Sequence, residues 1–258
     1  MRDYLKDLVE HTHDLGCIDL IKITGDDKTT AIVGVAEDLS VVLEGEFKNP
    51  HPDFIGTFGM PNLNKLKILL NLQEYKENAK LKLTKKATGA PDGIEFENAG
   101  GDFRNTYRFM AAEIVNDKLK TPKFKGVTWH IEFEPTVAAI QRLRMQAQAN
   151  AEEPNFQART ENGDLKFFFG DHSTHAGNFV FHSGVNGQLK RAWSWPAVQF
   201  MAIMALTGDK TIRISDDGAA KITVDSGVAV YNYILPAQSK WWQKHIYARL
   251  LDWQHGDW

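Results

Sequence analysis

The chain presents the same order of predicted elements in its two halves, and this internal repeat constrains the fold more than any other feature. Apolar residues at helical spacing predict helices over 4–15 and 61–73 in the first half, and over 135–150 and 195–206 in the second. Short β-patterned segments bounded by turn residues separate and follow these helices. The predicted strands cover 18–24, 30–35, 40–47, 80–84, 93–97 and 104–112, and then 127–133, 156–160, 166–170, 177–183, 211–215, 220–225 and 228–235.

Similar residues at equivalent places support the repeat. Residues 24–28 match 160–164, residues 80–84 match 211–215, and residues 107–112 match 231–236. A proline stands near the start of the second helix of each half. We place Pro61 and Pro196 in the first helical turn, where a missing N–H is tolerated. Residues 49–60 before Pro61 are predicted to be a loop. The pattern therefore predicts two domains of one topology.

Length and composition agree with two domains and exclude several classes of protein. The 258 residues suffice for two domains of roughly 130 residues. No apolar run reaches the roughly 20 residues of a membrane span, and the N-terminus has no apolar signal segment, so we expect neither membrane insertion nor secretion. The single Cys17 suits a reducing compartment. The net charge of −3 argues against a protein that coats nucleic acid over its whole surface.

A basic, polar stretch separates the two halves and sets the predicted domain bounds. Residues 117–126 include Pro122, which excludes a continuous helix, and we interpret them as an extended connector. The N-terminal domain is then 1–116 and the C-terminal domain 127–237. Residues 238–258 form a Trp-rich extension, predicted to be a helix with an apolar stripe of Trp242, Ile246, Leu250 and Trp253.

The repeat and its connector resemble the DNA sliding clamps, most closely the processivity clamps of T-even-type tailed phages, within the wider family of proliferating-cell nuclear antigen. The residues that carry the resemblance are the helix segment Gln141-Arg142-Leu143-Arg144, the turn Glu161-Asn162-Gly163-Asp164 and the end of the first domain, Asn105 to Glu113. The resemblance implies an α+β, two-domain clamp fold. Each domain would place two helices on the inner face and antiparallel sheets outside, in a pseudo-sixfold ring formed by a homotrimer.

The function implied by the resemblance is that of a DNA polymerase processivity factor, without enzymatic activity or cofactor. It would encircle double-stranded DNA without sequence preference and tether the replicative polymerase, and a clamp-loader ATPase would open the ring. A phage protein of this kind acts in the cytoplasm of the infected host cell. The C-terminal extension departs from the family pattern. It begins a clamp-binding box at Gln243 and Ile246 but has Arg249 and Leu250 where two aromatic residues should follow, so we expect it to pack outside or to bind a partner.

Three sets of residues follow from the resemblance. The DNA-facing set would contact phosphates rather than bases; ordinary solvated helix faces are the alternative. Its members are Arg2, Lys6, Lys65, Lys67, Lys76, Gln141, Arg142, Arg144, Lys190 and Arg191. A partner-peptide pocket would use Leu119, Pro122, Phe124, Ile234, Leu235 and Pro236, unless these residues only close a domain interface. The subunit interface would pair the strand over 104–113 with the strand over 177–183 and include Arg104, Tyr107, Phe109, Phe179 and Phe181.

Two other functions remain open from the sequence. Asp171, His172 and His175, with His182 nearby, have the ligand types of a metal-dependent hydrolase or oxygenase, although no phosphate loop or hydrolase motif accompanies them. Alternatively, the repeat could assemble a ring-forming scaffold that does not bind DNA. The net charge of each half does not decide among these functions, because residues 1–122 sum to −4 and the remainder to +1. Whether the chain can bind DNA depends on where the basic residues lie.

Overall fold

The computed structural model describes residues 1–120, 126–170 and 175–238. The chain divides into two units. The first contains Met1–Thr121 together with Leu206–Asp209 and Val224–Tyr233, and the second contains Pro122–Ala205, Lys210–Thr223 and Ile234–Trp258. The predicted Trp-rich helix lies outside the described residues. Within them, no helix is both long and apolar enough to cross a membrane.

The first unit contains three helices and two antiparallel sheets. The helices are α1 (Arg2–Glu10), α2 (Leu63–Asn71) and α3 (Ala112–Lys118). The strands are β1 (Leu20–Gly25), β2 (Thr30–Val35), β3 (Val42–Phe47), β4 (Gly56–Pro61), β5 (Lys80–Lys85), β6 (Pro91–Glu97) and β7 (Arg104–Arg108). One sheet has the order β4-β1-β2-β3 and the other β5-β6-β7.

The described part of the second unit contains two helices, and its strands form the corresponding sheets. The helices are α4 (Val137–Ala149) and α5 (Ala197–Ala205). The remaining strands are β8 (Ile131–Phe133), β9 (Asn155–Glu161), β10 (Asp164–Phe169), β11 (Gly177–His182), β12 (Trp193–Pro196), β13 (Asp209–Ser215), β14 (Ala219–Asp225) and β15 (Ala229–Pro236), and Val224–Tyr233, with most of β15, belongs to the first unit. One sheet has the order β12-β9-β10-β11, and β14-β13-β8 follow one another in the other.

Strand order confirms the internal repeat. The order β4-β1-β2-β3 of the first unit is the order β12-β9-β10-β11 of the second, element for element. The hairpins β5-β6 and β13-β14 also correspond, each following the second helix of its half. The repeat is thus a property of the order of the backbone elements.

Both halves contain a fourth strand that the sequence pattern missed. Pro61 and Pro196 do not start a helix; each is the last residue of a strand, β4 or β12, and the helix begins just after it. Each strand lies at the edge of its sheet, where proline is tolerated because no ladder hydrogen bond is lost. The predicted loop over 49–60 is therefore wrong in its last five residues. Asn62 then caps α2 through its side-chain oxygen, which accepts from the N–H of Lys65 at 3.2 Å.

The end of the first half also differs from its prediction. The strand predicted over 104–112 ends at Arg108, and α3 begins at Ala112, so the connector segment is helical up to Lys118. This helix packs closely on β4. A Cβ atom on Gly59 would stand 2.8 Å from a methyl carbon of Val115, so glycine is required for the helix to approach the strand. Strand β8 is also shorter than predicted, covering only Ile131–Phe133.

Aromatic rings fill the core of the second unit. Phe200 of α5 contacts Phe156 and Phe167 of the sheet, with ring centroids 5.0 and 5.8 Å apart, and Phe167 stacks on Phe181 at 4.3 Å. All four side chains are at most 2% exposed. Because strand residues alternate between faces, these phenylalanines fix which face of the sheet meets the helix.

Residues from the far end of the chain complete the first unit. The hydroxyl of Tyr231 donates to Asp7 Oδ2 at 2.7 Å, and the hydroxyl of Tyr233 donates to the carbonyl of His11 at 2.7 Å. The rings of His11 and Tyr231 stack with centroids 4.6 Å apart. Burial, together with the nearby Asp7 carboxylate, raises the pKa of Tyr231 well above its usual value, so the hydroxyl remains a donor.

A second histidine is buried in an aromatic cluster of the same unit. His51 is 6% exposed, and its ring centroid lies 4.9 Å from that of Tyr4 and 4.7 Å from that of Phe54. Its Nδ1 accepts a hydrogen bond from the N–H of Asp53 at 3.2 Å, which requires that nitrogen to be unprotonated. Burial accordingly lowers the pKa of His51.

We expect His51 to make the first unit less stable in acid. Below its unfolded pKa of 6.5, the unfolded imidazole binds a proton that the folded ring resists, so the free energy of unfolding falls as pH drops through that value. The slope from one proton is at most about 1.4 kcal/mol per pH unit. His51→Asn keeps an acceptor without the titration, and urea unfolding at a series of pH values should give this variant the shallower acid slope. Parallel curves for the two proteins would contradict this.

Candidate nucleic-acid interface

The four helices α1, α2, α4 and α5 carry a different charge from the rest of the chain. Together they contain six basic and three acidic residues. The whole chain has 30 and 33, so the remainder has 24 and 30. The helices are therefore net +3 and the remainder net −6. Within each unit the two helices pack together, α1 on α2 and α4 on α5. This concentrates positive charge on one pair of elements per unit.

Helix α1 presents fewer free charges than its sequence indicates. Arg2 is half-buried, and its guanidinium donates to the carbonyl oxygens of Leu70, at 2.7 Å, and Tyr75, so it holds the end of α2. Two of its three acidic residues are likewise occupied: Asp7 accepts from Tyr231, and Glu10 accepts from the hydroxyl of Thr207. Lys6 and Asp3 remain exposed.

Helix α2 adds lysines and no acidic residue. Lys65 is exposed, whereas Lys67 forms an ion pair with Asp14 at 2.8 Å. Lys76 is exposed after the helix, between the exposed Glu74 and Glu77. Lys65 is therefore the basic residue of this segment with the least competition from acidic neighbours in sequence.

Helix α4 is the most basic helix surface of the second unit. Gln141, Arg142 and Arg144 are exposed, and the helix contains no acidic residue. The guanidinium of Arg142 lies 5.6 Å from the ring centroid of Phe179, a cation–π distance that restrains its direction. The C-terminal turns of α4 pack on β11, where a Cβ atom on Gly177 would stand 2.6 Å from Gln146 Oε1.

The predicted Lys190 and Arg191 precede α5, as expected, on a loop before β12, and α5 carries no charge. Their side chains are exposed, and their N–H groups donate to the carboxylate of Asp216 at 2.9 and 3.2 Å. Asp216 is a functional neighbour that the sequence does not reveal. Its Asp-Asp-Gly turn is visible from the residues, but nothing local indicates that the carboxylate reaches a loop 25 residues away.

The residues of the predicted partner-peptide pocket are mostly buried. Leu119, Ile234 and Leu235 are at most 7% exposed, and Pro236 is half-buried. Pro122 and Phe124 lie outside the described residues. Burial agrees with a role in the core of each unit, and the pocket itself stays a prediction.

The predicted interface residues divide between surface and core. Arg104 is exposed and pairs with Glu97 at 2.8 Å, whereas the buried Tyr107 donates its hydroxyl to the carbonyl of Pro61 at 2.6 Å. Phe109 stacks on Phe58 with centroids 4.4 Å apart. Phe179 and Phe181 belong to the core of the second unit, each at most 5% exposed.

The strands that carry these interface residues lie at sheet edges. β7 ends the order β5-β6-β7, and β11 ends the order β12-β9-β10-β11. Among the described residues, no further strand pairs with either outer edge. Backbone groups at these edges are available for pairing even where the side chains face inwards.

The candidate metal ligands are only partly described. Asp171 and His172 lie outside the described residues, whereas the exposed His175 and the half-buried His182 lie inside them. In the described part of the chain, no three His, Cys, Asp or Glu side chains are grouped to hold a metal ion.

Burial raises the pKa of the Cys17 thiol to about 11, so it is protonated at neutral pH and is a weak nucleophile.

Comparison with known structures shows the fold. A PCNA from Thermococcus kodakaraensis superposes with a TM-score of 0.64 at 12% identity, covering 92% of this chain and 97% of that one. A PCNA from A. fulgidus, bound to the C-terminal region of FEN-1, gives a TM-score of 0.67 at 11% identity, covering 93% and 97%. No protein-family model and no curated protein matches the sequence. The chain has the α+β clamp fold, and identities this low establish the fold alone.

We expect Arg2 to contribute to stability where its neighbour Lys6 does not. Arg2→Gln removes a charged donor from two carbonyl groups, and the free energy of unfolding should fall by about 1–3 kcal/mol. Lys6→Gln, on the exposed side of the same helix, should change it by no more than about 0.5 kcal/mol. Chemical denaturation of both variants measures the difference. Equal stabilities would mean that the Arg2 hydrogen bonds are not maintained in solution.

Proposed function

We propose that this chain is a sliding clamp, a processivity factor that encircles duplex DNA as a ring and tethers a replicative polymerase. The main support for this proposal is the repeated strand order, combined with helices that have a net charge of +3 in a chain whose net charge is −3. The clamp fold, matched over more than nine-tenths of the chain, supports this function. The role is non-enzymatic, and it needs no cofactor.

Modest attraction suits a protein that is retained by topology. Exposed Lys6, Lys65, Arg142 and Arg144 would contact phosphates without reading bases. Acidic residues elsewhere act almost independently, because salt screens charges beyond roughly 8 Å. The ring raises the effective concentration of its polymerase at the primer end. A clamp-loader ATPase would open it.

A homotrimer is the assembly we propose, since two domains per chain give six around a closed ring. The unpaired edges of β7 and β11 support head-to-tail pairing between neighbouring chains.

The proposed domain bounds are 1–116 and 127–237, joined by the connector 117–126. A peptide pocket using Leu119 and Ile234–Pro236 would recruit partners. The resemblance of residues 117–170 to T-even-type phage clamps further suggests a virus-encoded protein that acts in the cytoplasm of its host.

Topological retention tests this function directly. The protein should sediment with a mass three times 29.1 kDa at high concentration and dissociate on dilution. Rings closed by chemical crosslinking around nicked circular DNA should survive high salt and be released when the circle is cut. A protein that is monomeric at every concentration, or whose retention is the same on linear and circular DNA, would contradict the proposal.

A single backbone change should separate assembly from folding. The N–H of Phe109 donates to Asp92 of β6 at 2.9 Å, and alternation along β7 therefore turns the N–H of Thr106 to the unpaired edge. Thr106→Pro removes that donor while leaving the β6 ladder intact, so it should abolish the trimer and preserve the folded monomer. Thr106→Ala keeps the donor and should still form trimers. Sedimentation and circular dichroism distinguish the two variants, and a trimeric Thr106→Pro protein would exclude this edge as the interface.

Helix α4 should dominate the salt dependence of DNA binding. Removing both of its arginines with Arg142→Gln and Arg144→Gln should make the slope of log affinity against log salt less steep by about 2, since each phosphate contact contributes about 0.9. Fluorescence anisotropy with a short duplex between about 50 and 200 mM salt measures this slope. The matched control, Lys85→Gln with Lys86→Gln at the exposed end of β5, should leave the slope unchanged. Equal effects would place the DNA contact away from α4.

A further inference from the structure

The two units differ at one sheet edge, although their strand orders otherwise correspond. In the second unit, β8 pairs antiparallel with the edge of β13 that faces away from β14, with Glu132 opposite Arg213. The equivalent strand of the first unit is β5, since residues 80–84 match 211–215. No described strand lies on the matching edge of β5. The repeat therefore includes a strand position that is filled in one unit and open in the other.

Burial of the apolar residues reflects this difference. Ile212 and Ile214 of β13 are 0% and 1% exposed, with β8 beside them. Their equivalents on β5 are less covered: Leu83 is 9% exposed and Leu81 is half-buried. β8 itself buries Ile131 and Phe133, at 1% and 7% exposure. An apolar strip on β5 thus lacks the cover that its counterpart has.

The charge at this edge is complementary to an acidic strand. The guanidinium of Arg213 donates to the carboxylate of Glu132 at 2.8 Å, and this hydrogen bond holds the pKa of Glu132 below its usual value. Lys82 occupies the position of Arg213 and is exposed. Glu95 lies opposite it on β6, yet no ion pair within 4.0 Å involves Lys82 in the described residues. The exposed Lys85 and Lys86 follow, so the open edge is predominantly cationic.

We infer that the open edge of β5 binds an extended acidic peptide of a partner protein, which adds a strand as β8 does on β13. The peptide carries an apolar–Glu–apolar triplet. Its carboxylate pairs with Lys82, its apolar side chains cover Leu81 and Leu83, and its backbone bonds to the strand edge. This surface is separate from the β7 and β11 edges, and the inference does not depend on the proposed function.

The chain supplies its own probe, a fluorescent peptide of residues 128–135, which contains the β8 triplet Ile131-Glu132-Phe133. Anisotropy with the full-length protein should give saturable binding, which Lys82→Glu weakens about tenfold by replacing an attractive cross-strand pair with a repulsive one. A peptide with Lys in place of Glu132 should bind the Lys82→Glu protein better than the wild type. Lys28→Glu, on the exposed loop between β1 and β2, is the matched control and should change affinity much less. Unchanged circular dichroism confirms that each variant is folded.

Amide hydrogen exchange provides a second test of backbone pairing, because a contact that is only electrostatic would not protect backbone N–H groups. The carbonyl of Ile214 accepts from the N–H of His130 at 2.9 Å, so the equivalent Leu83 directs its backbone to the open edge. Amide exchange at Leu83 should slow when the peptide binds. Absence of saturable binding, failure of the charge swap, or unaltered exchange would overturn the inference.

Two other occupants would also overturn it. If a second copy of the chain occupied the edge, Lys82→Glu would reduce self-association and the peptide would compete with it. If residues 251–253 of the same chain, Leu-Asp-Trp, occupied it, Asp252→Lys would raise the affinity for the peptide.

Discussion

Unpaired backbone groups at sheet edges are the constraint on which the rest of this structure depends. The edge strands differ in the features that limit or allow pairing with another strand. β4 and β12 end in proline, β13 is covered by β8, β5 carries lysines, and β7 and β11 are left bare within the described residues. Proline discourages pairing with other chains, and the lysines of β5 disfavour basic strands but can attract an acidic one, whereas bare edges invite pairing. The positions of these devices therefore indicate which surfaces can join other molecules.

The repeat could be predicted from the sequence because it depends on spacing, whereas the missed elements depend on contacts distant in sequence. Helical and strand periodicities located both helices of each half and most strands. Strands β4 and β12 were missed for one reason: a proline before an apolar run has the same local signature at the end of an edge strand as at the start of a helix. Helix α3 was missed because it is short and is stabilised by Val115 packing on Gly59, which no local pattern reveals.

The sequence predicted which basic residues lie on the helices, but not which of them are free to contact a ligand. Exposed Lys65, Arg142 and Arg144 lie on helices as expected. Arg2 has the same sequence signature, yet it holds two carbonyl groups about 70 positions away. Lys67 is likewise engaged by Asp14. Sequence gives the charge of a side chain, but its availability depends on whether the fold brings an acceptor within reach, and that is a property of tertiary structure.

The tyrosines that complete the first unit have a consequence for how the chain is made. Tyr231 and Tyr233 bond to residues 224 and 222 positions earlier. During synthesis, the ribosome must therefore produce the chain past Tyr233 before the first unit can close. Contacts this distant form slowly because a very long loop must be ordered first. Until then the nascent chain exposes the edge of β3 that β15 will cover, so the first unit closes only after residues 229–233 have been made.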